Sequence, residues 1–314
     1  MGESIKGYKG FDKDMTCRGF QYEEGKEYET DEAEVCEKGF HACEYPLDCF
    51  SYYRPAESVY HEVEQSGEIS KREDEDTKLA STKIKIGAKL SIAGIVQAAI
   101  EYTSSRAKKE SDSDSRKGAS SATGDYGASS ATGYYGASSA TGYKGASSAT
   151  GDYGASSATG DYGASSATGY KGASSATGYK GASSATGYYG ASSATGYYGA
   201  SSATDYKGAS SATGDYGASS ATGNCGASSA TGYYGASSAE DKDSIAVAWG
   251  YHGKAKGVLG SYLVLADWEG DESNYWTQEL WSLKGAKMVR VDGKNIKENT
   301  FYTMVNGEIV EVSE

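Results

Sequence analysis

Gly118-Ala119-Ser120-Ser121-Ala122-Thr123-Gly124-Asp125-Tyr126 opens a run in which the nonamer Gly-Ala-Ser-Ser-Ala-Thr-Gly-x-x recurs thirteen times without a gap, ending at Tyr234. Its fixed positions break once, at Asp205, where the second glycine is expected. A truncated copy begins at Gly235 and runs into Glu240. A flexible Gly/Ser linker would tolerate insertions, whereas stacked units do not, and the length of these copies never slips. Tyr, Lys and Asp fill the variable positions in every copy except the one holding Asn224 and Cys225.

The physical reading is a chain of short strands and glycine corners. Ala-Ser-Ser-Ala-Thr makes a strand whose side chains alternate between faces, and the following Gly-x-x-Gly supplies a permissive corner. One nonamer is too short to encircle an interior, so two per coil, about 18 residues, is expected. The copies then give roughly 30 Å of axis at a strand spacing of ~4.8 Å. Either Ser120 and Ala122 with their equivalents point inward, or Ala119, Ser121 and Thr123 do. Both interiors are built of very small side chains, so ladder hydrogen bonds and close packing must contribute more than apolar burial.

A solenoid with open ends invites edge pairing, so caps are expected. Thr82-Lys83-Ile84-Lys85-Ile86 reads as a strand, and Leu90 to Ala107 spaces Ile92, Ile95, Val96, Ala99 and Ile100 as one face of a helix that could lie over the first coil. Beyond the array, 244–250 and 260–266 read as greasier coils that close the stack. Asp292-Gly293 and Asn306-Gly307 read as turns, the latter as a hairpin. The expected fold is mainly β, a nonapeptide-repeat β-solenoid with a helical N-terminal cap and small α+β and β terminal modules. Its segments are an N-terminal module at 1–78, a strand and capping helix at 79–117, the solenoid at 118–243, C-terminal coils and cap at 244–284, and a small β-hairpin module at 285–314.

Composition narrows the function classes. Glycine accounts for 43 residues and tyrosine for 28 but phenylalanine for only 5, so a large dry core is not expected. The net charge of −13 belongs to the ends, because the array carries only Lys144, Lys171, Lys180 and Lys207 against Asp125, Asp152, Asp161, Asp205 and Asp215. Direct nucleic-acid binding is disfavoured without clustered Lys and Arg. No apolar signal region follows Met1, and Leu90–Ile100 is too short to span a bilayer, so a cytoplasmic protein without membrane contact is expected. The five cysteines then read as reduced thiols.

Cys17, Cys36, His41, Cys43 and Cys49 contain no Cys-x-x-Cys pair, so buried thiols are expected in preference to zinc, and no cofactor or metal is expected. A cysteine–histidine nucleophile would need an orienting third group that nothing here identifies. His61 and His252 are isolated and read as structural. The corner tyrosines Tyr126, Tyr135, Tyr153, Tyr162, Tyr189 and Tyr198 are the candidate binding residues, with ladder packing as their alternative role.

Two resemblances add to this reading. Gly7-Tyr8-Lys9-Gly10-Phe11, Cys17-Arg18-Gly19-Phe20, Cys36-Glu37-Lys38-Gly39-Phe40-His41-Ala42-Cys43 and Tyr52-Tyr53 resemble a module of unknown function in phage and prophage proteins. That resemblance implies a phage-encoded protein of the host cytoplasm and hands over no activity. The array and Ser244-Ile245-Ala246-Val247-Ala248 are similar to the head repeats of trimeric autotransporter adhesins, whose repeats are longer; that similarity implies shared solenoid geometry. The expectation is a non-enzymatic, phage-derived scaffold that displays side-chain rows to a host protein, with homo-oligomers compatible. The alternatives are an ice- or carbohydrate-binding array, or an enzyme in the N-terminal module centred on His41.

Overall fold

The computed structural model describes residues 4–55, 57–71, 77–106, 112–114, 118–270 and 281–312. The chain falls into two units, Met1–Tyr102 and Thr103–Glu314.

In the first unit, β1 (Ile5–Asp12), a small hairpin of β2 (Thr16–Cys17) and β3 (Phe20–Gln21), β4 (Glu27–Glu29), β5 (Phe40–Cys43), β6 (Ser58–Lys71) and β7 (Lys78–Leu90) precede α1 (Ile92–Arg106). The main sheet has the order β4-β7-β5-β1-β6, and β6 also pairs with β7, so β1, β5, β7 and β6 close into a ring. Alternation sets which side is buried: Ile84 and Ile86 point into a core with Phe11, Tyr22, Phe40, Ala42 and Val63, while Lys83 and Lys85 point away. The strand expected at 82–86 is the centre of β7.

The helix expected after it forms, with Ala107 outside the described residues, but its role as a cap on the solenoid is not supported. Ile95, Val96, Ala99 and Ile100 are buried, and the helix's Tyr102 ring packs 5.2 Å from Tyr45 of the N-terminal unit. The physical reason is the surface on offer: Tyr45 and its neighbours present far more apolar area than a rung of Ala and Ser. In the second unit the first even-numbered array strand pairs instead with β8 (Asp112–Asp114).

The array forms thirteen strands, β9 (Ala119–Thr123) to β21 (Ala227–Thr231), each the Ala-Ser-Ser-Ala-Thr of one copy. Every strand pairs in parallel and in register with the strand two copies away, as in Ala128↔Ala146 through Thr132↔Thr150, so each coil takes two nonamers, and about eight coils stack. Odd-numbered strands build one sheet and even-numbered strands the other.

The second and fourth residues of each strand, Ser and Ala, face inward. Ala122 and its equivalents are at most 3% exposed along the array, and the inward serines join the two sheets by a zigzag of hydrogen bonds. From Ser237 to Ser120 each hydroxyl bonds to the one nine residues away, as in Ser183→Ser174 at 3.0 Å and Ser174→Ser165 at 2.9 Å. A single file of hydroxyls satisfies donor and acceptor at every rung, which is how so polar an interior is tolerated. On odd-numbered strands the outward Ala and Thr are mostly exposed.

The corners explain the glycines. Gly142, Gly151, Gly160, Gly169, Gly178, Gly187 and Gly196 have φ of 145–158°, and a Cβ on any of them would lie within 1.8 Å of the carbonyl oxygen of the corner glycine on the rung before. Asp205 takes φ 99°, and from that corner onward the geometry changes. Up to Tyr198 the second variable residue donates its N–H backward along the stack, as in Tyr189→Tyr170 at 2.9 Å. From Lys207 it donates forward, to Asn224 at 3.0 Å, and Lys207, Tyr216, Cys225 and Tyr234 adopt φ of 56–61°. Reversal of the central peptide with positive φ at the third turn residue converts a type I-like corner into a type II-like one. The single break in the repeat therefore marks a change of corner.

After β22 (Ala236–Ala239), β23 (Ile245–Ala248), β24 (Lys254–Gly257) and β25 (Tyr262–Glu269) continue the two sheets, and Leu263, Leu265, Val291, Tyr302 and Met304 replace the Ala/Ser interior. β26 (Ser282–Arg290) pairs antiparallel with β25, and the hairpin of β27 (Tyr302–Val305) and β28 (Glu308–Glu311) extends the other sheet. Reversed strand direction and larger apolar side chains end the stack. Asn306 and Gly307, at φ 50° and 77°, make the expected two-residue turn. Asp292 accepts N–H bonds from Lys294, Asn295 and Ile296, which hold its carboxyl down to about 2. Among the described residues no helix is long and apolar enough to cross a membrane.

Candidate functional site

A coil of two nonamers sends successive corners to opposite edges, and this divides the six tyrosines chosen from sequence. Tyr135, Tyr153 and Tyr189 lie where even-numbered strands lead into odd ones; Tyr126, Tyr162 and Tyr198 lie on the other edge. They do not form one column. On the second edge the order by rung is Tyr126, Lys144, Tyr162, Lys180 and Tyr198. Lys180 sits 4.6 Å over the Tyr162 ring, and Lys144 lies 5.9 Å and 5.5 Å from the rings of Tyr126 and Tyr162. Lys144 and Lys180 are buried, and further along this edge Tyr216 and Tyr233 are buried too. Ring stacking there is structural in character: Tyr216 lies parallel to Tyr234 at 5.7 Å, and Tyr234 is followed by His252 at 5.0 Å.

Tyr126, Tyr143 and Tyr179 of the second edge are as exposed, at 39–49%, but half-buried Tyr162 interrupts them, whereas the first edge is open, exposed over a longer unbroken run. Tyr134, Tyr135, Tyr153, Tyr170, Tyr188 and Tyr189 are each between 38% and 47% exposed, and they occupy four successive rungs. Tyr135 stacks on Tyr153 at 5.1 Å, Tyr170 on Tyr188 at 5.5 Å, and Tyr188 meets Tyr189 edge-on at 4.9 Å. Exposed Lys171 and Lys207 lie among and after them. Tyr134, Tyr170 and Tyr188 were missed in the sequence because only the second variable position was considered. An 18-residue period applied to both variable positions would have found them.

The N-terminal unit holds a cleft of about 720 Å³. Along β5, Phe40 and Ala42 turn into the core, while His41 and Cys43 share the opposite face, as their spacing predicts. Gly10 is required by Tyr53, whose ring carbons would lie 2.5–2.7 Å from a Cβ at that position. Lys9 is only 5% exposed. Its Nζ donates to the His41 carbonyl at 2.9 Å and to Cys17 Sγ at 3.5 Å, and lies 5.3 Å and 5.7 Å from the Phe11 and Tyr22 rings. His41 Nε2 accepts the Cys36 N–H at 2.9 Å. Burial, with the nearby charges of Lys9 and Arg18, holds the imidazole below its usual range. Burial and a hydrogen bond with Cys17 push the Tyr53 phenol up. Phe20, Tyr22 and Tyr28 meet edge-on at 4.8–5.5 Å along the wall, and Phe20 is 48% exposed at the rim. His61, by contrast, is buried with Nδ1 on the Gly87 carbonyl at 2.9 Å, a structural role.

Residues 5–98 match the model of a domain of unknown function, DUF7666. The first unit of this chain is thus a DUF7666 domain, reaching from β1 into α1, and the second is a β-solenoid. No curated protein and no solved structure matches the chain.

Proposed function

We propose that this chain is a non-enzymatic interaction protein in which the solenoid holds a row of tyrosines rigid for recognition by another protein. The observation that carries the reading is the open edge, where four successive rungs each present at least one ring more than a third exposed. Tyr offers large amphipathic area with few rotatable bonds, and in-register strands hold these rings at fixed spacing before any partner arrives. The resemblance of the N-terminal stretch to phage modules supports a phage-derived protein that acts on a host protein in the host cytoplasm.

The test replaces Tyr by Ala in two blocks of three, Tyr134/Tyr135/Tyr153 and Tyr170/Tyr188/Tyr189, with Tyr126/Tyr143/Tyr179 of the other edge as control. Melting temperature is expected to fall slightly in all three, while a protein recovered from bacterial lysate is lost only with the open-edge blocks. Equal recovery with every block would count against the reading.

A second reading has one observation in its favour. On the odd-numbered strands, columns headed by Ser121 and Thr123 face outward in a regular array, the arrangement expected of a water- or sugar-ordering surface. A thermal-hysteresis measurement on the intact chain decides it: growth arrest of ice abolished by Thr159→Leu with Thr177→Leu would favour this reading, and no hysteresis would remove the ice-binding form of it.

A further inference from the structure

The cleft of the DUF7666 domain is lined by residues of the first unit alone and uses none of the solenoid's tyrosines. Burying an ammonium away from water is costly unless charge or hydrogen bonds compensate it. Lys9 is nearly enclosed, yet its Nζ has only a carbonyl, a thiol and two aromatic rings around it, and it forms no ion pair among the described residues. Arg18, exposed and likewise without an ion pair among the described residues, lines the same cleft and holds φ 51°. The other lysine of the lining, Lys78, donates to Tyr52 at 2.8 Å. The carboxylates of the lining are engaged elsewhere or at the rim: Glu29 pairs with Lys83, Asp12 accepts from Thr16, and Glu37 is exposed. Positive charge is therefore concentrated on the floor at Lys9.

The walls are flat and aromatic. Phe20, Tyr22, Tyr28 and Tyr53 line the cleft, and its volume of about 720 Å³ suits a small molecule. We propose that this cleft binds a small anion built on a planar ring, a nucleotide or an aromatic carboxylate, with the charged group on Lys9 and Arg18 and the ring against Phe20 and Tyr22. Charge-assisted hydrogen bonds from Lys9 and Arg18 supply the anchor, and the aromatic wall selects for the ring.

Calorimetric titration of the full chain with adenosine monophosphate, benzoate, inorganic phosphate and neutral benzyl alcohol tests this. At least one ring-bearing anion is expected to bind, at least ten-fold more tightly than phosphate or benzyl alcohol. The winner between nucleotide and benzoate tells which source of the anion the cleft takes. Lys9→Met should weaken that ligand ten-fold or more. Because Lys9 is buried and its variant could fail to fold, Arg18→Ala and Phe20→Ala, both at exposed positions, are measured beside it and should each weaken binding several-fold. Binding of none of the anions at millimolar concentration would overturn the proposal. So would benzyl alcohol binding as tightly as the anions, or affinity unmoved by Arg18→Ala and Phe20→Ala.

Discussion

Replacing Gly178 with Ala is expected to destabilise the solenoid by about 2–4 kcal/mol, a large effect for one methyl group. Two penalties combine. The backbone there sits at φ 156°, which L side chains rarely adopt, and the added Cβ would lie 1.7 Å from the Gly160 carbonyl oxygen on the rung before. That oxygen is main chain, fixed by the ladder, and cannot rotate away. Gly124 provides an internal control at the same place in the first copy: φ is 132°, and nothing lies within 4 Å of its Cβ direction. Gly124→Ala should therefore incur only the conformational part, about 1 kcal/mol. Denaturant midpoints of the two variants check the difference; equal losses would mean that rung-to-rung contact is not what keeps glycine in the corner. Asp205 shows what accommodation requires, since a side chain there comes with a φ near 99° and a reversed corner hydrogen bond in the rungs that follow.

The second large effect lies in the interior. Ser174→Leu is expected to destabilise by about 3–5 kcal/mol, combining about 1–3 for overpacking with about 1–3 for leaving hydroxyl partners unmatched. Ser174 is 5% exposed, gives its hydrogen to Ser165 and receives one from Ser183, so removing it interrupts the file in both directions. Ser174→Ala isolates the hydrogen-bond part and should show only the smaller loss. Because repeat stability is a sum of neighbouring rungs, the damage should be local, with amide exchange accelerating most around Ser165 and Ser183 and little at the array's ends. Uniform acceleration along the array would indicate that the hydroxyl file does not organise the stack.

Much of this architecture was legible because the repeat is strict. A fixed nine-residue period predicts corners at constant intervals, and the impossibility of closing a coil with nine residues predicts two per coil, as the register Ala128↔Ala146 shows. Which face turns inward was not legible, since Ala and Ser occur on both; burial of the Ser120 and Ala122 columns settles it. The helix at 92–106 was readable from its apolar spacing, but periodicity says only that one face is buried, not against what. Tyr45 lies far away in sequence, and this is why a capping role was expected and is not supported. The tyrosines were visible as letters, whereas their division between two edges follows from coil parity. In the N-terminal cleft, Lys9 was legible only as part of a Gly-Phe motif; its burial depends on Phe11, Tyr22 and the His41 carbonyl, brought together by strands β1 and β5.

The claim that one tyrosine edge of the solenoid is a recognition surface is tested most directly by photo-crosslinking from single positions. A photoreactive phenylalanine analogue at Tyr153 on the open edge, and separately at Tyr143 on the other, leaves the ring in place and the stack undisturbed. Irradiation in bacterial lysate is expected to give one discrete adduct from position 153 and none of that mass from position 143. The same adduct from both positions, or none from 153 when the chain is folded, would contradict the account.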